Sequence, residues 1–105
     1  MEFLEFIEAP LFSKYVSEYL TESEYFSLQW ELTLYPDKGD LIQKSGGLRK
    51  IRWGMKERGK RGGARVIYYW KSKNSQIFLL SIYAKNEVEN ISNKQLQELR
   101  KELGK

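Results

Sequence analysis

The sequence predicts an α+β domain in which N-terminal helices pack on one face of a small antiparallel β-sheet and a short helix closes the chain. Three observations carry that expectation. Apolar residues repeat at three- and four-residue steps from residue 11 to residue 34; strand-like runs of β-branched and aromatic residues follow between residues 48 and 83; a leucine stripe at helical spacing returns after residue 92. With 105 residues, one domain covering 1–105 is expected, large enough to hold a core without staples.

The first segment, Phe3, Leu4, Phe6 and Ile7 among Glu2, Glu5 and Glu8, reads as a short strand ended by Ala9 and Pro10. Pro10 suits the first turn of a helix, and Leu11, Phe12, Tyr15, Val16, Tyr19 and Leu20 form its stripe. Thr21 with Glu24 has capping-box spacing, so a second helix begins there and runs to a stop at Pro36, with PDKGD as its exit. Leu48 to Trp53, Arg65 to Trp70 and Ile77 to Tyr83 then form an antiparallel meander, the last two joined by the turn-like KSKNSQ. Ser92 with Gln95 repeats the capping logic, and Leu96, Leu99 and Leu103 line one face of the final helix. The order β, α, α, β, β, β, α places helices on one face of the sheet and leaves the other free.

Strand alternation then assigns faces. Lys50 and Arg52 share one face and Ile51 and Trp53 the other, so the cations point to the open side if the apolar pair meets the helices. On the next strand register decides between the sets Arg65, Ile67, Tyr69 and Val66, Tyr68, Trp70. On the last, Phe78, Leu80 and Ile82 suit the core and put Ser81 and Tyr83 opposite; Lys85 lies just past its end. If the strands are unbulged, one face gathers Lys50, Arg52, Arg65, Tyr83 and Lys85. Most of the 15 aromatics, including Tyr15, Tyr19, Tyr25, Phe26 and Trp30 on the helical stripes, are expected in the core.

Charge is concentrated where those strands lie. Residues 46–65 hold eight basic residues and one acidic residue, a net +7, while the rest of the chain sums to −3. A one-sign field confined to one region repels itself and attracts polyanions, which marks a partner surface; a merely solvated loop is the alternative. The loop GMKERGKRGGA offers Lys56, Arg58, Lys60 and Arg61 as phosphate donors beside Arg49 on the strand before it. It precedes a strand rather than a helix, unlike Walker A and dinucleotide fingerprints.

Cysteine and histidine are both absent. That excludes disulfides, thiolate metal sites, histidine-dependent triads and the two-histidine ribonuclease scheme, and no metal or other cofactor is expected. No apolar run approaches a membrane span, and the acidic MEFLEF lacks a signal peptide's basic start, so a cytoplasmic protein is expected.

The strings GGLRKIR, KERGKRGGARVIYYW and LLSIYAKNE, together with FSKYVSEYL and LYPDKGDLI, resemble the RelE/ParE superfamily of toxins, and within it the HigB type of toxin–antitoxin modules. The resemblance implies a RelE-like fold, ribosome-dependent cleavage of messenger RNA, contact with ribosomal RNA, and inhibition by a cognate antitoxin that often has a helix-turn-helix domain. By motif, Lys50 and Arg52 match the family's strand cations, Arg65 its arginine on the following strand, and Lys85 its basic segment after the last strand. Asn86 stands where many relatives have another arginine, and the histidine of some HigB proteins is absent.

Such a site supports attack of the RNA 2′-hydroxyl on its own adjacent phosphate, if a base takes the proton and cations hold the phosphorane. A lysine among arginines is pushed toward its neutral form, so Lys50 is the candidate base or, if charged, a phosphate clamp. Arg65 would stabilise transition-state charge, Arg52 position the phosphate, Tyr83 stack on or orient a base, and Lys85 help the leaving group. Arg49, Lys56, Arg58, Lys60 and Arg61 would dock RNA or ribosome. A non-catalytic RNA-binding domain and a ParE-like gyrase inhibitor remain open alternatives.

Overall fold

A computed structural model describes residues 3–54, 63–84 and 91–104. In chain order the elements are β1 (Glu5–Glu8), α1 (Pro10–Tyr19), α2 (Glu22–Leu34), β2 (Asp40–Leu41), β3 (Arg49–Trp53), β4 (Ala64–Lys71), β5 (Gln76–Ala84) and α3 (Asn93–Lys101). Local chemistry sets the helix ends. Pro10 fills the first turn of α1, where its missing N–H costs nothing. Thr21 and Glu24 close a full capping box on α2, with bonds of 2.8 and 3.1 Å, and Ser92 and Gln95 do the same for α3. Tyr35 leaves the helical region ahead of Pro36, as a residue before proline tends to do.

The strands form one sheet in the order β1-β5-β4-β3-β2. The meander β3-β4-β5 is antiparallel as expected, but β1 pairs with β5 in parallel, Glu5 opposite Gln76 through Glu8 opposite Leu79. The long excursion between them, through α1, α2 and β2 to β4, allows that direction, which a tight hairpin forbids. The two-residue β2, which the sequence offered only as a helix exit, pairs Asp40 with Lys50 and Leu41 with Arg49.

Two apolar layers sandwich the sheet. Ile51, Val66, Tyr68, Ile77, Leu79 and Ile82 face α1 and α2, meeting the buried Phe12, Leu28 and Leu32. The opposite face is not free. Leu48, Ile67 and Leu80 lie under Leu96 and Leu99 of α3, with Tyr83 at the margin of this second cluster. The leucine stripe of α3 needed an apolar surface, and half of the supposedly open face supplies it.

The last strand departs from simple alternation. Ile67 is opposite Ser81 while the next residue, Tyr68, is opposite Leu79, so Leu80 is an extra residue in β5. Phe78 and Leu80 therefore join the α3 side, and Ile77 and Leu79 join Ile82 on the side of α1 and α2. The expected trio of Phe78, Leu80 and Ile82 on one face is thus corrected.

Helix α2 is apolar around most of its circumference, so a single layer cannot bury all of it. Leu28 and Leu32 turn inward, whereas Phe26 and Trp30, both expected in the core, are 69% and 50% exposed. They lie roughly 120–160° from the buried pair around the helix, which is why the sequence stripe was ambiguous. Polar links join the elements at their ends. The Glu8 carboxylate accepts from Ser13 Oγ and Tyr25 Oη, each at 2.5 Å, tying β1 to both helices. Burial first, and then the adjacent carboxylate, push the Tyr25 phenol far above its ordinary pKa, so it remains the donor.

Tyr68 is fully buried, and its hydroxyl donates to Pro36 O and accepts from Gly39 N, both at 2.8 Å. It pins the exit of α2 to the centre of the sheet. Tyr68→Phe strands a buried N–H and a carbonyl, and we expect it to lower unfolding free energy by about 1–3 kcal/mol in denaturant titration. An unchanged midpoint would show that water satisfies both groups.

Candidate functional site

The register of three strands builds the site. Arg52 of β3 lies directly opposite Arg65 of β4, and Arg65 directly opposite Tyr83 of β5. Directly paired residues share a face, so the three side chains form one row across the sheet. Lys50, opposite Ile67, stands two residues along from Arg52 on the same face. Four of the five residues expected in the site are therefore brought together. Lys85 lies outside the described residues, as do Lys56, Arg58, Lys60 and Arg61.

The row is less open than the sequence suggested. Arg52 is exposed and Lys50 half-buried, but Arg65 and Tyr83 are each only 8% exposed. The packing of α3 on Leu48, Ile67 and Leu80 raises a wall along one side and leaves the cations at its foot. No sequence period announces this wall, although the unassigned stripe Leu96, Leu99, Leu103 was the signal for it.

Burial and charge act together here. Desolvation, and then the like charge of Arg52, push the Arg65 pKa down, while Tyr83 opposes them. An arginine so placed still carries its charge at neutral pH, and it is a strong electrostatic centre because little water screens it. Desolvation raises the Tyr83 pKa, and the Arg65 charge offsets part of that rise. Tyr83 is therefore a neutral phenol at neutral pH, able to donate a hydrogen bond and unsuited to be a base.

Arg49 requires a correction. It lies on the Ile51 face of β3, opposite the row, and its Nη1 donates to Asp37 O at 3.0 Å and to Gly39 O at 2.7 Å. Its guanidinium fastens the turn after α2 rather than joining the cationic face. The basic loop between β3 and β4 is anchored by glycines at both described ends. Gly54 and Gly63 have φ of +65° and +63°, and a Cβ on Gly63 would meet the Gly54 and Trp53 carbonyl oxygens at 2.7 Å. Among the described residues no group of His, Cys, Asp or Glu could hold a metal ion. The row itself, two arginines and a phenol with Lys50 beside them, offers charge and hydrogen bonds to a polyanion.

Two comparisons bear on this arrangement. A family model described as the RelE toxin of the RelE / RelB toxin-antitoxin system matches residues 38–105, a span that includes all of β2 to β5 and α3. Among solved structures, the fold is similar to that of an E. coli toxin RelE mutant, two arginines replaced by alanine, in the free state. The TM-score is 0.57 at 13% identity, covering 84% of this chain and 90% of that one. At that identity the likeness speaks for the fold alone.

Proposed function

The chain belongs to the RelE toxin family, and from that premise we propose that it is a ribosome-dependent, metal-independent endoribonuclease of the HigB type that its strand motifs resemble. It is the toxin of a toxin–antitoxin pair, and its antitoxin partner, on this reading, carries a helix-turn-helix domain. The observation that supports cleavage best is the row Arg52, Arg65, Tyr83 with Lys50 beside it on one face. Arg52, at the exposed end, receives the phosphate. Arg65, behind it, is desolvated where charge develops on the phosphorane, which is where a fixed cation lowers a barrier most. Tyr83 donates from its phenol to orient the nucleotide.

The 2′-hydroxyl is the nucleophile. Its proton passes to Lys50, or to a group on the ribosome if Lys50 serves as a clamp; the P–O5′ bond breaks and the leaving oxygen takes a proton from Lys85, giving a 2′,3′-cyclic phosphate and a 5′-hydroxyl. Arginines hold the phosphate but do not align the 2′-oxygen with the leaving group. Alignment is what a ribosome-bound message supplies, and it accounts for much of the barrier reduction in reactions of this kind. No helix among the described residues is long and apolar enough to cross a membrane.

The test is the chemistry of product ends in a translating extract. Cyclic phosphates at codon positions are expected; protection without cleavage would leave an RNA-binding domain, and DNA breaks would leave a gyrase inhibitor. Docking is also expected to be electrostatic. If about five cations meet phosphates, log affinity should fall with log salt at a slope near −3.5, roughly −0.7 per contact. A slope near zero across a salt series would remove the basic surface from the mechanism.

A further inference from the structure

The outer face of α2 is apolar and meets no other element among the described residues. Leu28 and Leu32 turn to the sheet, while Phe26, Trp30 and Leu34, spaced four residues apart, are all exposed. At 100° per residue these three form one ridge along the helix, on the side away from the buried pair. The side chains flanking the ridge are small, Ser23 and Ser27 on one side and Thr33 on the other, and none of the six carries a charge. Glu22 stands at the N-terminal edge; Glu24 and Glu31 are engaged, the first in the capping box with Thr21 and the second with Lys38.

Two features mark this face as one built to be covered. The first is that its hydroxyls at Ser27 and Thr33 are satisfied from within. Ser27 Oγ donates to Glu24 O at 2.8 Å and accepts from Trp53 Nε1 at 3.1 Å, and Thr33 Oγ1 donates to Gln29 O at 2.7 Å. Taking these two groups out of water therefore breaks no hydrogen bond that the protein does not already replace. The second feature is self-complementarity. Phe26 and Leu34 lie at equal steps on either side of Trp30, so a two-fold axis at the level of Trp30 sets each Phe26 against the Leu34 of a second copy. Each ridge then meets a groove bordered by the small Ser23 and Ser27, the packing that four-residue ridges favour.

We propose that this ridge is the contact of a homodimer, two copies of the chain joined antiparallel along α2. Charge and area both favour a second copy as the occupant. An uncharged face carries no repulsion across a two-fold axis. The basic stretch leaves β3 at Gly54, which lies against Leu20 and Glu24 at the start of α2. Antiparallel pairing therefore holds the two basic stretches at opposite ends of a helix about 20 Å long, beyond a Debye length of about 8 Å. The exposed parts of Phe26, Trp30 and Leu34 come to about 300 Å² per copy, and with their flanks a two-fold contact removes about 1,000 Å² in all, enough for weak, reversible pairing. The row of Arg52, Arg65 and Tyr83 is on the other face of the sheet, so it stays open in the dimer, and the pairing stands independently of the cleavage reading.

Sedimentation equilibrium of the full chain over a concentration series should show a reversible dimer with a Kd on the order of 10–100 µM. Added sulfate should tighten it, the opposite of its effect on polyanion docking. Trp30→Glu should weaken pairing at least about thirtyfold, as loss of a central tryptophan anchor does, with the fold intact by circular dichroism. Phe26→Glu and Leu34→Lys should each pair poorly alone, yet their equimolar mixture should pair better than either, because the two-fold axis brings the introduced carboxylate against the introduced ammonium. A chain that stays monomeric throughout the series, a dimer indifferent to Trp30→Glu, or a mixture no better than its components would overturn the two-fold contact. A monomer whose Trp30 indole resonance shifts only when the cognate antitoxin is added would assign the face to that partner instead.

Discussion

Arg65→Ala is expected to lower single-turnover cleavage on saturating ribosomes by about 100-fold or more, the scale seen when one fixed group that stabilises transition-state charge is removed. Its place carries the expectation. It stands between Arg52 and Tyr83 in the row and is nearly buried, so its charge is screened less than that of any exposed cation. Ribosome association should change far less, because the exposed cations still dock the protein. Arg65→Lys should recover only part of the loss, since an ammonium is a point charge where a guanidinium is a planar fork. Lys60→Ala should do the reverse, weakening binding and flattening the salt slope by about 0.7 while sparing saturated cleavage. Wild-type cleavage by a folded Arg65→Ala variant would show that the row is not the site.

Phe12→Ala is expected to be the most damaging change to stability, about 3–5 kcal/mol by denaturant titration. Phe12 is fully buried at the centre of the layer between α1 and the sheet, with its ring centroid 5.7 Å from that of Tyr25. Truncation removes that aromatic contact and leaves a cavity among Leu28, Leu32 and Ile82, groups held on α2 and β5 that cannot all move in to fill it. A cost below about 1 kcal/mol would mean that the helices slide freely over the sheet.

Much of the fold was legible because its signals are local. The two capping boxes, the proline at the start of α1 and the meander need only neighbours in sequence to be recognised. What was not legible depends on partners far along the chain. The parallel pairing of β1 and the covering of one sheet face by α3 are choices among surfaces, and periodicity does not name the surface. For the site, alternation was enough to bring Lys50, Arg52, Arg65 and Tyr83 to one face. The same rule puts Arg49 with Ile51 and Trp53, so its inclusion among the docking cations followed charge where geometry pointed elsewhere. The burial of Arg65 had no sequence signal of its own; it depends on the central place of β4, with Arg52 on one side and Tyr83 on the other.

The extra residue at Leu80 gives β5 one position of slack. A strand in strict register has none: losing a residue exchanges its two faces from that point to its end. In β5 a shortening between Phe78 and Leu80 could be taken up by straightening the bulge, leaving Val66 opposite Ile82 and Arg65 opposite Tyr83. In β4, where no such reserve exists, the same loss between Arg65 and Ile67 would misalign Arg65 with Arg52 and Tyr83. Length variation among related chains should therefore be tolerated on one side of the row and excluded on the other.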